Sequence, residues 1–299
     1  MGSCPVNGRW NCTDAKSFAN SLQLGETRNN EMIYPFAAAF AAQGPFSSSF
    51  LAYFMIFMAL VTLPTLVWGP TAPYGRFSQT SGWGWLVPNR LAWITQEIPS
   101  LAVPVVWVAF FATGDQLANL RGVNLVLMSL FIVHYTNRDL IFPLRLRAGK
   151  PTPFLVWLLA FVFCVYNGFM QTRYLLADAP VVEPSPSTYL GVGIWVAGFF
   201  INLHSDHILI SLRKDKKKGE YKIPRGGMFE YVSAANYFGE IVEWTGYAVA
   251  SGFALPCVAF AVFTLANLFP RALAYHRFYL ERFPSYRRLN RKACIPFLV

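Results

Sequence analysis

The sequence predicts an all-α, polytopic membrane protein, and two observations carry that prediction. Its 299 residues are 55% hydrophobic and only 13% charged, whereas about a quarter of the residues in soluble domains are charged. Long stretches also lack Asp, Glu, Lys and Arg altogether, and a bilayer core needs about 20 apolar residues per helix. These charge-free stretches cover residues 32–75, 98–114, 122–137, 151–172, 184–205 and 244–270. The composition excludes a disordered chain and argues against an ordinary soluble domain.

The charge-free stretches and their apolar flanks predict about seven transmembrane helices. We place these helices near residues 48–68, 92–113, 121–143, 154–176, 188–212, 229–251 and 255–279. Residues 46–299 then form a single seven-helix transmembrane domain, and residues 1–45 precede it as an amino-terminal extension. The extension is polar at first and then rich in Ala and Phe, and an interfacial segment is one interpretation of it.

The basic residues predict how the helices are oriented in the membrane. Of the 25 Lys and Arg residues, 18 fall in segments on one side of the predicted spans and five on the other. Because cytoplasmic loops are enriched in Lys and Arg, the amino terminus is predicted outside and the carboxyl terminus in the cytosol. The net charge of +10 therefore indicates a membrane rather than a nucleic-acid partner. The cluster R-K-D-K-K-K at residues 213–218 exceeds what orientation requires, and both anionic lipid and a polyanionic cofactor suit it.

Several ionisable residues lie at predicted membrane depth, where a charge costs about 2.5–3.5 kcal/mol at the helix centre. They are Glu97, Arg138, Asp139, Asp206, Glu240, Glu243 and Arg271. Polar residues three or four apart share a helix face, and such pairs are Tyr135 and Arg138, Asn202 and Asp206, and Asn236 and Glu240. The sequence thus predicts a polar cavity near the cytosolic end. Its Asn and carboxylate groups suit ribose and amide hydrogen bonds, and its Arg groups suit phosphates.

Missing motifs exclude several other chemistries. Gly191 and Gly193 are not followed by the third glycine of a dinucleotide-binding turn, and no phosphate-binding loop motif is present. His204 and His207 are three residues apart, but no third ligand completes a known pattern, so no metal is predicted. No Lys lies within a predicted span, which argues against a retinal Schiff base. The five Cys residues form neither a zinc nor a disulfide pattern.

Long motifs in the second half of the chain resemble those of the steroid 5α-reductase family, the 3-oxo-5α-steroid 4-dehydrogenases. The resemblance runs from about residue 50 to residue 299 and is densest in the last hundred residues. Three motifs carry most of it: I-N-L-H-S-D-H-I-L at 201–209, Y-K-I-P-R-G-G-M-F at 221–229 and V-S-A-A-N-Y-F-G-E-I-V-E-W at 232–244. Further matches are Q-E-I-P-S at 96–100, H-Y at 134–135, H-R-F-Y-L at 276–280 and I-P-F at 295–297.

This resemblance implies a seven-helix enzyme that reduces the Δ4 double bond of a 3-oxo-steroid with NADPH. An enone accepts hydride at its β-carbon only when its carbonyl group is polarised, and a donor aimed at that oxygen is usually a large catalytic contribution. The resemblance assigns this role to Tyr135, with Glu97 orienting the phenol or coupled to it and Gln96 beside them. The same three residues, together with Trp244, are expected to contact the substrate.

The resemblance also implies a set of residues that hold NADPH. They are Asn202, Asp206, Arg213, Tyr221, Asn236, Glu240, Arg271 and Tyr279, and the cytosolic arginines Arg138 and Arg147 join them as candidates. The expected partners are a steroid and the lipid bilayer, in a chain for which a monomer is favoured. The expected location is the endoplasmic reticulum membrane in a eukaryote or the plasma membrane in a bacterium.

Two alternatives remain open from the sequence. Sterol reductases, enoyl reductases and isoprenylcysteine methyltransferases resemble the carboxyl-terminal half more loosely, and the last of these use S-adenosylmethionine. A sterol sensor or channel without enzymatic activity is the alternative from a different class, because buried carboxylates also line water or ion paths.

Overall fold

The computed structural model describes residues 44, 46–69, 75–78, 82–146, 149–212 and 221–299. Apart from Gly44, the predicted amino-terminal extension lies outside these residues. Helices dominate the described part. They are α1 (Ser48–Trp68), α2 (Asn89–Val106), α3 (Gly114–Ala118), α4 (Gly122–Thr136), α5 (Phe142–Arg145), α6 (Phe154–Arg173), α7 (Pro186–Leu212), α8 (Ala235–Ala250) and α9 (Leu255–Arg282). Two short strands, β1 (Leu86–Val87) and β2 (Thr152–Pro153), pair antiparallel in front of α2 and α6.

Six helical segments of the described chain are long and apolar enough to cross a membrane, which confirms the all-α polytopic fold. They are Ser48–Trp68, Asn89–Phe111, Gly122–Arg145, Phe154–Asp178, Pro186–Leu212 and Leu255–Arg282. The seventh predicted span, 229–251, is matched by the shorter helix α8 of 16 residues. It begins only at Ala235 because residues 227–230 form a 3-10 turn and residues 231–234 make backbone hydrogen bonds with Lys292 and Ala293. The predicted orientation of the termini stays a prediction.

Helices α7 and α8 pack so closely that their backbones touch. Gly191 and Gly198 on α7 face Gly239 and Gly246 on α8, and each helix repeats its glycine after seven residues. A Cβ atom added to Gly239 would lie 2.5 Å from the backbone nitrogen of Asn202. Small residues permit such approach in membranes, where dispersion contacts rather than the hydrophobic effect hold helices together.

The apolar core lies where α1, α4, α8 and α9 meet. Phe131 on α4, Trp244 on α8 and Phe260 on α9 are buried, and the Trp244 and Phe260 rings are 4.3 Å apart. Met55 on α1 and Leu127 on α4 complete the same cluster. Large apolar side chains on the outer faces are exposed, as expected of surfaces that meet lipid. They include Phe54, Phe57 and Leu60 on α1 and Leu159 and Val162 on α6.

Three of the described helices end in π-helical turns, at Trp107–Phe111, Asn137–Ile141 and Tyr174–Asp178. A π-turn widens the helix and redirects the side chains within it, and such turns are frequent at functional sites. The second of them joins α4 to α5 and carries Arg138 and Asp139. It therefore decides where two of the ionisable groups at membrane depth point.

Candidate active site

Arg138 lies at the centre of a cluster of three carboxylates that come from three different helices. Its Nε is 3.2 Å from Glu97 Oε2 on α2, its Nη1 is 3.4 Å from Asp206 Oδ2 on α7, and its Nη2 is 3.7 Å from Glu240 Oε2 on α8. All four side chains are largely buried. The guanidinium also lies over the rings of Trp93 and Phe142, at 4.6 and 5.1 Å from their centroids. Only a planar, five-donor cation can bridge several carboxylates while it stacks on aromatic rings.

Gln96 and Glu97 bring the amino-terminal half of α2 to this cluster. The Gln96 Nε2 donates to Glu97 Oε1 at 3.3 Å, so Glu97 is held by both its neighbour and Arg138. The Gln96 Oε1 is buried and has no hydrogen-bond partner in the described part of the chain. Buried polar atoms are nearly always paired in native proteins, so this oxygen is available to a ligand that brings a donor.

Tyr135 is buried one helical turn before Arg138, against the aromatic core. Its ring lies 4.7 Å from the Phe131 ring and 6.1 Å from the Trp244 ring. Ser100, Cys164 and Glu97 are close enough to the phenol to interact with it electrostatically. The described residues show no hydrogen bond between Tyr135 and Glu97. The two groups predicted to act together thus lie at the same site but interact with each other only at a distance.

His134 and Glu243 form a buried pair beside Tyr135, and neither was among the predicted site residues. The His134 Nδ1 lies 2.7 Å from Glu243 Oε1, and both side chains are almost fully buried. The His134 ring packs between Tyr135 at 4.9 Å and Trp244 at 4.6 Å. Glu243 was recognised as a charge at membrane depth, but no spacing rule connects it to a residue 109 positions earlier.

The predicted cofactor residues of α7 and α8 do converge. Asn202 Nδ2 donates to the backbone carbonyl of Asn236 at 3.0 Å, across the glycine-lined seam. Asp206 and Glu240 lie one turn further along their helices, on Arg138. Although Glu240 Oε2 is 3.7 Å from Arg138, it makes no hydrogen bond among the described residues. It is therefore a second buried acceptor at this site.

The remaining predicted cofactor residues lie in two places. Tyr221 packs edge-on to Phe278 at 5.2 Å, and buried Tyr279 stacks on Tyr286 at 5.1 Å. Arg271 lines a groove between α9 and the carboxyl-terminal end of α1. Arg147 and Arg213, the predicted phosphate partners in the basic loops, lie outside the described residues.

The segment after α9 holds the loop that leads into α8 through hydrogen bonds from a buried arginine. The buried guanidinium of Arg291 donates to the Pro224 carbonyl at 2.7 Å and to Glu230 Oε2 at 3.1 Å. The hydrogen bond from the Gly226 N–H, at 2.6 Å, and the nearby Arg291 charge lower the pKa of Glu230 below its usual value. This contact could not be predicted from the sequence, because an arginine in a basic tail has no sequence signal for burial.

Ser233 provides a second connection between the same two segments. Its hydroxyl lies 2.6 Å from both His276 Nδ1 and the Tyr286 hydroxyl, and donates to the Lys292 carbonyl at 3.1 Å. Backbone pairing of Val232 with Lys292 adds a parallel bridge. The residues that follow α9 therefore fix the start of α8 and the position of Asn236.

The helical bundle holds a buried phenol, a cluster of carboxylates around one arginine, and buried acceptor oxygens without hydrogen bonds among the described residues. These are features of an enzyme that acts on an apolar substrate. A family model described as 3-oxo-5-alpha-steroid 4-dehydrogenase matches residues 150–299. The chain is 48% identical over 231 residues to 3-oxo-5-alpha-steroid 4-dehydrogenase 1 of Bos taurus, which covers 76% of this chain and 88% of the relative. The corresponding protein of Mus musculus is 47% identical over 254 residues, with 84% and 95% covered.

A relative of the second type is also similar. It is 3-oxo-5-alpha-steroid 4-dehydrogenase 2 of Rattus norvegicus, 42% identical over 248 residues that cover 80% of this chain and 93% of the relative. The chain belongs to the 3-oxo-5-alpha-steroid 4-dehydrogenase family. It is thus an integral, multi-pass membrane oxidoreductase.

Proposed function

We propose that this chain reduces the Δ4 carbon–carbon double bond of a 3-oxo-steroid by hydride transfer from NADPH. The names of its relatives specify 3-oxo-5-alpha-steroids and a 4-dehydrogenase reaction. The observation that carries the proposal is the buried phenol of Tyr135, which lies within electrostatic range of the acid Glu97 in an aromatic, water-poor environment. This is the donor that reduction of an enone requires.

Tyr135 acts as the donor to the ketone oxygen. As hydride reaches the β-carbon, negative charge develops on this oxygen, and a fixed O–H donor stabilises that charge. In a low-dielectric site such a donor is worth more than in water and needs no reorganisation. Phe131 and Trp244 pack against the Tyr135 ring and exclude water from the phenol.

Glu97 orients the Tyr135 phenol towards the ketone of the substrate, and Gln96 lies beside them. Arg138 holds the Glu97 carboxylate in one position, and Gln96 donates to its other oxygen. The free Gln96 Oε1 and the Glu97 carboxylate thus present acceptors within the same turn of α2. Trp244, buried next to Tyr135, offers the flat apolar surface on which a steroid ring packs.

The residues of the site fit NADPH, which supplies the hydride when it is bound. The fit rests on the buried acceptor Glu240 Oε2, which the described residues leave without a hydrogen bond, next to the amides of Asn202 and Asn236. Hydroxyl and amide donors such as those of a ribose and a carboxamide satisfy this set. Asp206, Arg138, Tyr221, Arg271 and Tyr279 complete the proposed binding residues, with Arg147 and Arg213 for the phosphates.

The experiment that tests the function is incubation of the purified protein with testosterone or progesterone and NADPH, with mass analysis of the product. We expect a product heavier by two hydrogen atoms. Tyr135→Phe should lower the rate about 10²–10³-fold, because it removes one donor to the developing charge. Glu97→Gln should also abolish most turnover, while NADPH binding survives in both variants.

Tyr189→Phe is the matched control, because this tyrosine of α7 is 67% exposed and has no role in the proposed mechanism. Its activity should equal that of the wild type. Near-normal turnover in Tyr135→Phe would remove the phenol from the mechanism. Thermal-shift titrations with NADPH and with S-adenosylmethionine separate the proposed reductase from a methyltransferase, since only the bound compound raises the melting temperature.

A further inference from the structure

His134 and Glu243 form a buried pair that has no part in the mechanism proposed above. The His134 Nδ1 lies 2.7 Å from Glu243 Oε1, and the two atoms form a hydrogen bond whichever of them holds the proton. The His134 side chain is 5% exposed and that of Glu243 is 0% exposed. The other carboxyl oxygen of Glu243 has no hydrogen-bond partner in the part of the chain that the structure describes. Within that part, the Glu243 carboxyl group therefore depends on His134 for its hydrogen bonding.

The pair connects the helix that carries the proposed donor to the helix that carries the proposed apolar surface. His134 precedes Tyr135 on α4, and Glu243 precedes Trp244 on α8. The His134 ring lies 4.9 Å from the Tyr135 ring and 4.6 Å from the Trp244 ring. The hydrogen bond to Glu243 therefore fixes a ring that contacts both of the aromatic residues proposed to contact the steroid.

A second polar contact joins the same two parts of the bundle. Just after the end of α4, Arg138 Nη2 lies 3.7 Å from Glu240 Oε2 on α8. Between the two contacts, the chain advances from 134 to 138 on one side and goes back from 243 to 240 on the other. The segments are thus antiparallel, and the two contacts together fix the position of α4 along α8.

We propose that Glu243 is a positioning residue: through its hydrogen bond to His134 it sets where the Tyr135 phenol lies relative to the substrate. This inference rests on the proposed function. Trp244 follows Glu243 directly, so the same bond sets the distance between the phenol and the apolar surface. Misplacing a catalytic group by about 1 Å can cost about 10²-fold in rate. In this role the hydrogen bond matters and the charge does not, so a neutral acceptor at position 243 is sufficient.

Steady-state kinetics of steroid reduction test this role with two substitutions at one position. Glu243→Gln keeps an acceptor for the His134 Nδ1–H donor, and its kcat should stay close to that of the wild type. Glu243→Leu keeps a side chain of similar size but removes the acceptor. Its kcat should fall about tenfold or more, while the KM for NADPH changes less than kcat. A Glu243→Gln variant that loses as much activity as Glu243→Leu overturns the proposal, and so does a Glu243→Leu variant with the kcat of the wild type.

Thermal unfolding without steroid or NADPH tests the contact separately from the function. His134→Phe and Glu243→Leu should each lower the melting temperature by about 2–12 °C, because each leaves a buried polar group without its partner. The double variant replaces both groups by apolar side chains, and it should be more stable than either single variant. It should nevertheless keep the low kcat of Glu243→Leu, because no hydrogen bond fixes the His134 position. Losses that add in the double variant overturn the proposal, and so does a double variant with the kcat of the wild type.

Two control variants separate positioning from a general loss of stability. Glu183→Leu removes an exposed carboxylate and should change neither the melting temperature nor kcat. Asn124→Leu removes a buried amide at the opposite end of α4, which donates to the carbonyls of Asn119 and Pro180 at 3.2 and 3.4 Å. It should lower the melting temperature and leave kcat unchanged. A loss of kcat in Asn124→Leu as large as that in Glu243→Leu overturns the proposal.

Two failures remain distinguishable in this design. If Glu243→Leu does not fold, the kcat values of Glu243→Gln and of the double variant decide. If the wild type forms no reduced steroid, the proposed function has failed and the positioning role fails with it. The melting temperatures of the ligand-free variants then still show whether His134 and Glu243 interact.

Discussion

Replacing Arg138 by Met should destabilise the protein strongly, because it leaves three carboxylates without the cation that they share. Removing one partner of a buried ion pair typically costs about 3–5 kcal/mol. Glu97 and Glu240 keep 15% of their side-chain surface exposed, so we take the lower end, about 3 kcal/mol. At about 2–4 °C per kcal/mol, the melting temperature should fall by about 6–12 °C.

The assay is thermal unfolding of the purified protein in detergent at one fixed scan rate, since the unfolding of membrane proteins is commonly irreversible. Arg121→Met is the matched control, because Arg121 is exposed at the start of α4. Adding Glu240→Gln to Arg138→Met should recover about 1 kcal/mol of the loss, because it removes one of the unbalanced charges. A melting temperature equal to that of the wild type, or a double variant no more stable than Arg138→Met, would refute this reasoning.

Three other substitutions test separate parts of the fold. Gly239→Ala should greatly reduce the yield of folded protein in size-exclusion chromatography, because the added Cβ meets the α7 backbone, whereas Gly193→Ala, with nothing within 4 Å, should have no effect. Glu230→Gln should lower the melting temperature at neutral pH. Since folding lowers the pKa of Glu230, its stabilising effect is complete above the usual value of 4.5 and is lost as the pH falls through the folded-state pKa, so the two melting curves should converge in acid. Ser233→Ala should cost about 1–3 kcal/mol, the price of leaving buried partners unsatisfied, and an unchanged melting temperature would show that its three hydrogen bonds are replaced by water.

The transmembrane helices could be predicted from the sequence because lipid imposes a simple rule on composition. Charge-free stretches located six spans to within a few residues at most ends. The rule failed for α8, where apolar residues before Ala235 belong to a loop held by hydrogen bonds from the region after α9. It also cannot show the π-turns, since their wider geometry depends on tertiary packing rather than on local composition.

The sequence indicated candidate residues for the site, but it did not indicate the contacts between them. Spacing predicted that Tyr135 and Arg138 share a helix face, and the resemblance named Glu97 and Glu240. The sequence did not show that Arg138 joins carboxylates from α2, α7 and α8, because those contacts connect residues between 41 and 102 positions apart. The His134–Glu243 pair was missed for the same reason, although both residues stand in motifs that were noticed.

The glycine-lined contact between α7 and α8 has a consequence for how the protein moves. Where two helices meet through main-chain atoms, no long side chains remain that could change rotamer and let the helices slide. Densely packed contacts of this kind transmit displacement instead of absorbing it. We therefore expect helices α7 and α8 to move as one rigid unit. Any opening that admits or releases a large ligand should come from the helices on the other side of the bundle.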